Sequence, residues 1–300
     1  MITHPNVKIN LGLNVLRKRE DGFHDLETLF VPYFDIFDTL EIVVGDDYSR
    51  TSAALFAKYG NSYGRDGETP SLVQGISEDG KLMITIARAE GVDWDPLKDL
   101  CAKAYMILAD DHKLPPVKIF LEKTSPVGAG LGGGSSDAAF ALKMLNDLCG
   151  LGLTETDLAA YACRLGSDCA FFIYDRPMIG EGRGEILTEY PLEGIDFGGK
   201  DSAGHEAEYE LKVITPEGIA VSTADAYRGI RPQMPEIPLR EVLARPVEEW
   251  KDCLANDFEA TVFDKYPELV AIKMSLYESG AVYASMSGSG SALFAIYRND

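Results

Sequence analysis

The sequence predicts an α+β fold, and three observations carry the prediction. Alternating apolar and polar runs, with the period of a strand, recur along the chain. Between them lie segments with apolar residues at helical spacing. At residues 126–136 a glycine-dense bend joins one strand to a strong helix. That bend reads Pro126-Val127-Gly128-Ala129-Gly130-Leu131-Gly132-Gly133-Gly134-Ser135-Ser136, with five glycines in seven positions. Glycine adopts positive φ without steric cost and lets a ligand approach the backbone. Val117–Leu121 alternates before it, and Asp137–Leu145 after it is rich in helix formers. Ser135 or Ser136 is the expected N-cap. Main-chain N–H groups then meet the positive end of the helix dipole, a setting that suits phosphate. A flexible linker seldom stands between a strand and a strong helix. The Walker loop needs a lysine that is missing before Ser135. The dinucleotide fingerprint is formally met by Gly128, Gly130 and Gly133, but it leaves Gly132 and Gly134 surplus.

From the N-terminus, Val7–Leu11 alternates, so Asn6, Lys8 and Asn10 share one strand face that carries donors and one cation. An exposed edge strand explains the same pattern. The turn Arg19-Glu20-Asp21-Gly22-Phe23-His24 follows, then strands over Leu26–Tyr33 and Asp38–Val44. Residues 45–95 carry many turn signals, among them Gly64-Arg65-Asp66-Gly67, and read as a peripheral excursion with hairpins and a poorly ordered middle. A helix over Leu97–Ala109 presents Leu100, Ala104, Ile107 and Leu108 as its stripe. Thr154–Asp157 resembles a capping box for Leu158–Leu165, with Gly166 as the stop. Asp168 then stands beside an apolar run, either as a helix N-cap or as a carboxylate held by partners. Residues 180–185 form a glycine-rich turn, and Gly194–Glu210 reads as an acidic, mobile loop. A second set of elements begins at Leu211–Thr215, which suggests a domain boundary near 177. Helices are expected at Ser222–Tyr227, Glu241–Ala244, Asp257–Phe263 and Glu268–Ser279. Last come strands at Ala281–Met286 and Ala292–Tyr297, joined by Ser287-Gly288-Ser289-Gly290-Ser291, an ordinary hairpin turn or a backbone clamp.

The totals narrow the function. The 300 residues suffice for one large or two ordinary domains, and 46% hydrophobic content is enough for real cores. A net charge of −20 argues against a general nucleic-acid surface and against adhesion to anionic membranes. The five cysteines, Cys101, Cys149, Cys163, Cys169 and Cys253, are odd in number and widely spaced, as expected of structural thiols in a reducing cytoplasm. Neither a leader nor an apolar run of membrane length is read.

Three segments together resemble the GHMP kinase superfamily. Residues 126–139 resemble its ATP-binding motif, Met286–Ala292 its C-terminal glycine motif, and Lys8-Ile9-Asn10-Leu11 its first motif. The turn Asp21–His24 and the segment Leu165-Gly166-Ser167-Asp168-Cys169-Ala170-Phe171-Phe172 resemble the branch that phosphorylates a cytidine-diphosphate-linked methylerythritol in non-mevalonate isoprenoid biosynthesis. The resemblance implies a two-domain fold: an N-terminal domain like domain 2 of ribosomal protein S5 over 1–176 and an α/β C-terminal domain over 177–300. It implies ATP on residues 126–136, Mg²⁺, Asp168 as base for the substrate's 2-hydroxyl and Lys8 as its helper. It further implies His24 on the cytosine edge, Phe23 stacked on the base, Asn10 in substrate contact, Asp137 in loop support, and Ser287, Gly288, Ser289 and Gly290 at the substrate. Phe23 stands where the family has tyrosine, and Ile179 where it has a second aromatic, so no two-sided aromatic clamp is implied. A monomer or weak homodimer without nucleic-acid or membrane partners is expected. The rival readings are another GHMP kinase of the homoserine or mevalonate type, a non-catalytic relative that senses a ligand, and a Rossmann dehydrogenase. The presence of both Lys8 and Asp168 speaks for the enzyme.

Overall fold

A computed structural model describes residues 1–60, 69–198 and 207–299. These form two compact units that interleave along the chain. The first unit takes Met1–Asn6, Ile36–Ser125 and Gly133–Tyr174; the second takes Val7–Asp35, Pro126–Gly132 and the chain from Asp175 onward. The units are therefore discontinuous, whereas the boundary expected near residue 177 divides the chain end to end.

In the first unit a five-stranded sheet has the order Ile2–Thr3, Thr39–Val44, Val117–Lys123, Leu82–Arg88, Leu72–Ile76. Val117–Lys123 is antiparallel to Thr39–Val44 and parallel to Leu82–Arg88. Ile84 and Ile86 are fully buried, as a strand flanked on both sides requires. Residues 82–88 are thus part of the central sheet, which corrects the peripheral reading of 45–95. The expected hairpin is present as Leu72–Ile76 with Leu82–Arg88. A helix over Ser52–Tyr59, which the sequence reading missed, packs Leu55 and Tyr59 on Val43, Leu72 and Phe120. Residues 61–68, with the Gly64–Gly67 turn and the expected disordered middle, lie outside the described residues. The helix Leu100–Asp111 buries Cys101, Ala104, Tyr105 and Leu108, a stripe rotated from the expected one. The helix Glu155–Leu165 carries a full capping box between Thr154 and Asp157.

The second unit contains two four-stranded sheets. One has the order Asn6–Lys18, His24–Phe37, Met178–Gly182, Ile186–Glu189; the other Ile195–Asp196, Tyr209–Ile214, Leu293–Arg298, Tyr283–Met286. Behind the latter, the helices Thr223–Arg228, Phe258–Lys265 and Pro267–Glu278 bury Ala226, Phe258, Val262, Leu269 and Leu276. The acidic stretch 194–210, expected as loop, holds the strand Ile195–Asp196 parallel to the start of Tyr209–Ile214. Residues 199–206 of that stretch lie outside the described residues.

Candidate active site

The strand Asn6–Lys18 ends its sheet, yet Val7 to Leu11 are buried. An open edge would leave backbone donors in search of partners. Here the glycine bend and the C-terminal turn cover it. The N–H of Lys8 donates to the Leu131 carbonyl at 2.9 Å, and that of Asn10 to Ser287 Oγ at 3.2 Å. The exposed-edge reading is thereby excluded. The Lys8 side chain is only 3% exposed. A buried ammonium must be hydrogen-bonded to be tolerated. Its Nζ donates to Asn10 Oδ1 at 2.6 Å and to the Gly130 carbonyl at 2.9 Å, and lies 5.4 Å from the Phe30 ring centroid. Asn10 Nδ2 donates to Thr28 Oγ1 at 3.1 Å, which fixes the amide's orientation.

The two glycine segments meet at this point. A Cβ on Gly130, whose φ is +78°, would lie 2.3 Å from the Ser287 carbonyl oxygen. No other residue fits there. A Cβ on Gly288 would fall 3.1 Å from both Asn10 Oδ1 and the Gly130 carbonyl oxygen. Asn256, which no sequence signal marked, donates to the Met286 and Gly288 carbonyls at 2.7 and 2.9 Å and so fixes the turn. Ser289 Oγ lies 3.1 Å from Thr223 Oγ1, and the Gly290 N–H closes the turn on the Ser287 carbonyl. The second unit thus gathers Lys8, Asn10, Gly130, Ser287 and Gly288 around one stretch of main chain.

In the first unit the loop helix runs over Gly133–Cys149. It starts before Ser135 and Ser136, which therefore lie in its first turn and are not its N-cap, a correction to the expected cap. Glycine prevails there because a Cβ on Gly133 would sit 2.5 Å from Ser125 Oγ. The first-turn N–H groups have no intrahelical acceptor. Ser136 Oγ is buried and has no hydrogen-bond partner among the described residues. Below this turn Lys123, 6% exposed, bridges Asp38 and Asp137, the latter at 2.6 Å. Asp38 Oδ1 also accepts from the Thr124 and Ser125 N–H groups, at 2.7 Å each. Burial pushes the Asp137 carboxyl well above the usual carboxylate range, against the pull of Lys123 and with the Asp38 charge adding to the rise. Asp137 therefore tethers the loop helix to the end of the strand Val117–Lys123.

Asp168 is half-buried in the turn between the helices Glu155–Leu165 and Cys169–Tyr174. That turn lies beside the loop helix: a Cβ on Gly166 would be 4.0 Å from Ser135 Oγ. The Cys169 thiol, pushed up to about 12 by burial, receives the Ser135 hydroxyl as a hydrogen-bond partner. Each unit, taken alone, thus carries one of the two catalytic candidates next to its own part of the glycine loop, Lys8 at Gly130 and Asp168 near Ser135.

His24 and Phe23 stand at the hairpin between the strands Asn6–Lys18 and His24–Phe37. Gly22 at φ +87° makes the turn, and Asp21 Oδ1 accepts the Phe23 N–H at 3.1 Å. The His24 ring stacks on Tyr227, with centroids 4.9 Å apart and planes 24° apart, and Tyr227 in turn meets Phe258 edge-on at 4.7 Å. Burial, and then the Lys18 charge, hold the imidazole below its usual value, so the neutral ring is favoured. Phe23 is 55% exposed, and the Arg183 guanidinium lies 5.1 Å from its centroid. Ile179 is fully buried and cannot serve an open pocket. Sequence reasoning missed Tyr227, Thr28, Lys123 and Asp38 as well as Asn256.

Comparison with known proteins follows the same lines. The family described as "GHMP kinases N terminal domain" matches residues 99–176, and "GHMP kinases C terminal" matches 239–300. Proteins named 4-diphosphocytidyl-2-C-methyl-D-erythritol kinase from Bacteroides fragilis and Bacteroides thetaiotaomicron are each 42% identical to this chain, covering 99% of it and 92% of their own length. A crystal structure of 4-(cytidine 5'-diphospho)-2C-methyl-D-erythritol kinase superposes with a TM-score of 0.69 at 28% identity, over 98% of this chain and 89% of the other. A homoserine kinase from Cytophaga hutchinsonii shares the fold, with a TM-score of 0.61 at 15% identity over 99% of this chain and 86% of the other. The chain belongs to the GHMP kinases, and within them to the 4-diphosphocytidyl-2-C-methyl-D-erythritol kinase family.

Proposed function

We propose that this chain transfers the γ-phosphoryl group of ATP to the 2-hydroxyl of 4-diphosphocytidyl-2-C-methyl-D-erythritol. The observation that carries the reading is the buried Lys8 ammonium held against the Gly130 carbonyl of the glycine loop. A buried cation costs several kcal/mol of desolvation, which its hydrogen bonds have to offset. In this reading the triphosphate lies on residues 126–136. Asp168 takes the proton as the hydroxyl oxygen attacks the γ-phosphorus, the bond to the β-phosphate oxygen breaks, and ADP leaves. Lys8 steadies the charge on the transferred group. Such a reaction asks mainly for alignment and charge stabilisation. Neutral His24 offers the cytosine edge one donor and one acceptor. Asn10 fixes Lys8, and the main chain of Ser287, Gly288, Ser289 and Gly290 backs the substrate side.

Mg²⁺ fits the residues present. Among the described residues no three of His, Cys, Asp and Glu gather as a metal cluster. A hard ion of this kind arrives on phosphates and takes one or two protein oxygens. Ser136 Oγ, unpartnered among the described residues, is such an oxygen. When bound, the ion neutralises charge on the β- and γ-phosphates. The reading includes a cytoplasmic monomer or weak homodimer and a division into domains at 176/177. No disulfide joins the five cysteines, all of them among the described residues, which suits a reducing compartment, and no described helix is long and apolar enough to cross a membrane.

The test is an ATP-dependent phosphorylation assay across 4-diphosphocytidyl-2-C-methyl-D-erythritol, homoserine and mevalonate. Turnover confined to the cytidine-linked alcohol is expected. Preferred turnover of either simple alcohol would replace the substrate assignment, and turnover of none would remove the kinase reading.

A further inference from the structure

The hairpin tip that carries His24 offers one open aromatic face, and the residue aligned to supply a second cannot reach it. Phe23 leaves 55% of its surface in solvent, while Ile179 is fully buried in the strand Met178–Gly182. That strand has no slack: a Cβ on Gly180 would lie 2.3 Å from the Phe30 ring. An enlarged side chain at 179 would have to displace the core. The turn that follows supplies a flat group instead. Gly182 at φ +69° and Gly184 at φ +107° flank Arg183, and its guanidinium stands 5.1 Å from the Phe23 centroid.

We propose that Arg183 is a base-stacking residue, its guanidinium forming the second plate opposite Phe23 for the pyrimidine ring of the substrate. The inference rests on the cytidine-substrate reading above. A guanidinium is planar, weakly hydrated and permanently charged, and it stacks on aromatic rings where an ammonium cannot. Nucleic acid bases stack on arginine planes as they do on aromatic rings. For a ring to enter, the guanidinium has to withdraw from Phe23, and its side chain is only loosely held. Its side-chain ion pair, with Glu185, is at 3.4 Å, and 39% of the side chain is exposed. Its backbone is fixed, because the Arg183 N–H donates to Glu185 Oε2 at 2.5 Å. Turn and side chain therefore divide the work, the first setting the position and the second the opening.

The test is calorimetric titration of cytidine, CDP and ATP into the full chain, in the wild type, Arg183→Ala and Arg183→Lys. Arg183→Ala is expected to weaken cytidine and CDP by the same factor, about tenfold, and to leave ATP unchanged. Arg183→Lys is expected to bind cytidine nearly as poorly as the alanine variant. Loss for CDP with cytidine untouched would make Arg183 a phosphate contact and overturn the assignment. So would wild-type affinity in the alanine variant, or full rescue by lysine. A wild type that binds ATP but neither cytidine nor CDP would bring down the substrate reading and this inference with it.

Discussion

The two ends of the strand Asn6–Lys18 with its hairpin make an instructive contrast. At its start Lys8 is 3% exposed, its backbone is paired to the glycine bend, and its ammonium is held by an amide and a carbonyl. At the hairpin beyond its far end Phe23 is 55% exposed and is met by a loosely held arginine. One end is built from main chain and buried charge, the other from side chains at a turn. Buried polar groups with fixed partners cannot relax, so they suit charge stabilisation that must be in place beforehand. A solvent-facing tip can adjust to a base and tolerate substitution. Changes at the first end should therefore strike turnover or folding, and changes at the second should strike substrate affinity.

The largest effect is expected from Lys8→Met, which keeps length and loses the charge. Turnover at saturating substrates should fall about 10³-fold. A turnover number within threefold of wild type would break the contrast at its buried end. Gly130→Ala comes next. The positive φ and the 2.3 Å approach to the Ser287 carbonyl oxygen together should cost about 3 kcal/mol of stability. Thermal unfolding reads this directly, and an unchanged melting temperature would show that the two glycine segments are not tightly apposed. His24→Ala should raise the apparent KM for the cytidine substrate about tenfold with kcat nearly kept. An effect confined to ATP would count against its role.

The smallest effect concerns pH. The His24 imidazole is held below its ordinary value of 6.5, by burial first and by the Lys18 charge second. The neutral ring then persists at pH 6.5 and is lost only as the pH falls through the lowered value. Substrate KM should accordingly rise only on that acid side. Lys18→Gln removes one repulsive charge and should move the rise to higher pH. A shift to lower pH, or no rise at all on acidification, would contradict the assignment of a neutral histidine.

How much of this the sequence disclosed follows from the range of the forces involved. The Thr154–Asp157 capping box, the Asp21–His24 turn and the strand that feeds the glycine bend depend on near neighbours, and they are formed as expected. The N-cap was misplaced because serine is the better local cap, whereas close packing of Gly133 on Ser125 decides where the helix starts. Residues 82–88 looked peripheral because turn signals surround them, and only parallel pairing with Val117–Lys123 makes them central. Lys8, Asp168 and His24 were singled out through their motifs, and their roles stand as proposals. Tyr227 stacks on a residue some two hundred positions away, and Asn256 holds a turn thirty residues on, so neither carries a local signal. Lys123 and Asp38 went unmarked for the same reason, since their bridge spans 85 residues.

The central claim of the proposed function is that the Asp168 carboxylate takes the proton of the substrate hydroxyl. Its most direct test is single-turnover transfer from ATP to 4-diphosphocytidyl-2-C-methyl-D-erythritol by Asp168→Asn, with ATP affinity measured on the same preparation. The account predicts that transfer slows by about 10³-fold or more while ATP binds as in the wild type. Transfer at a near-normal rate with that carboxylate gone would contradict it.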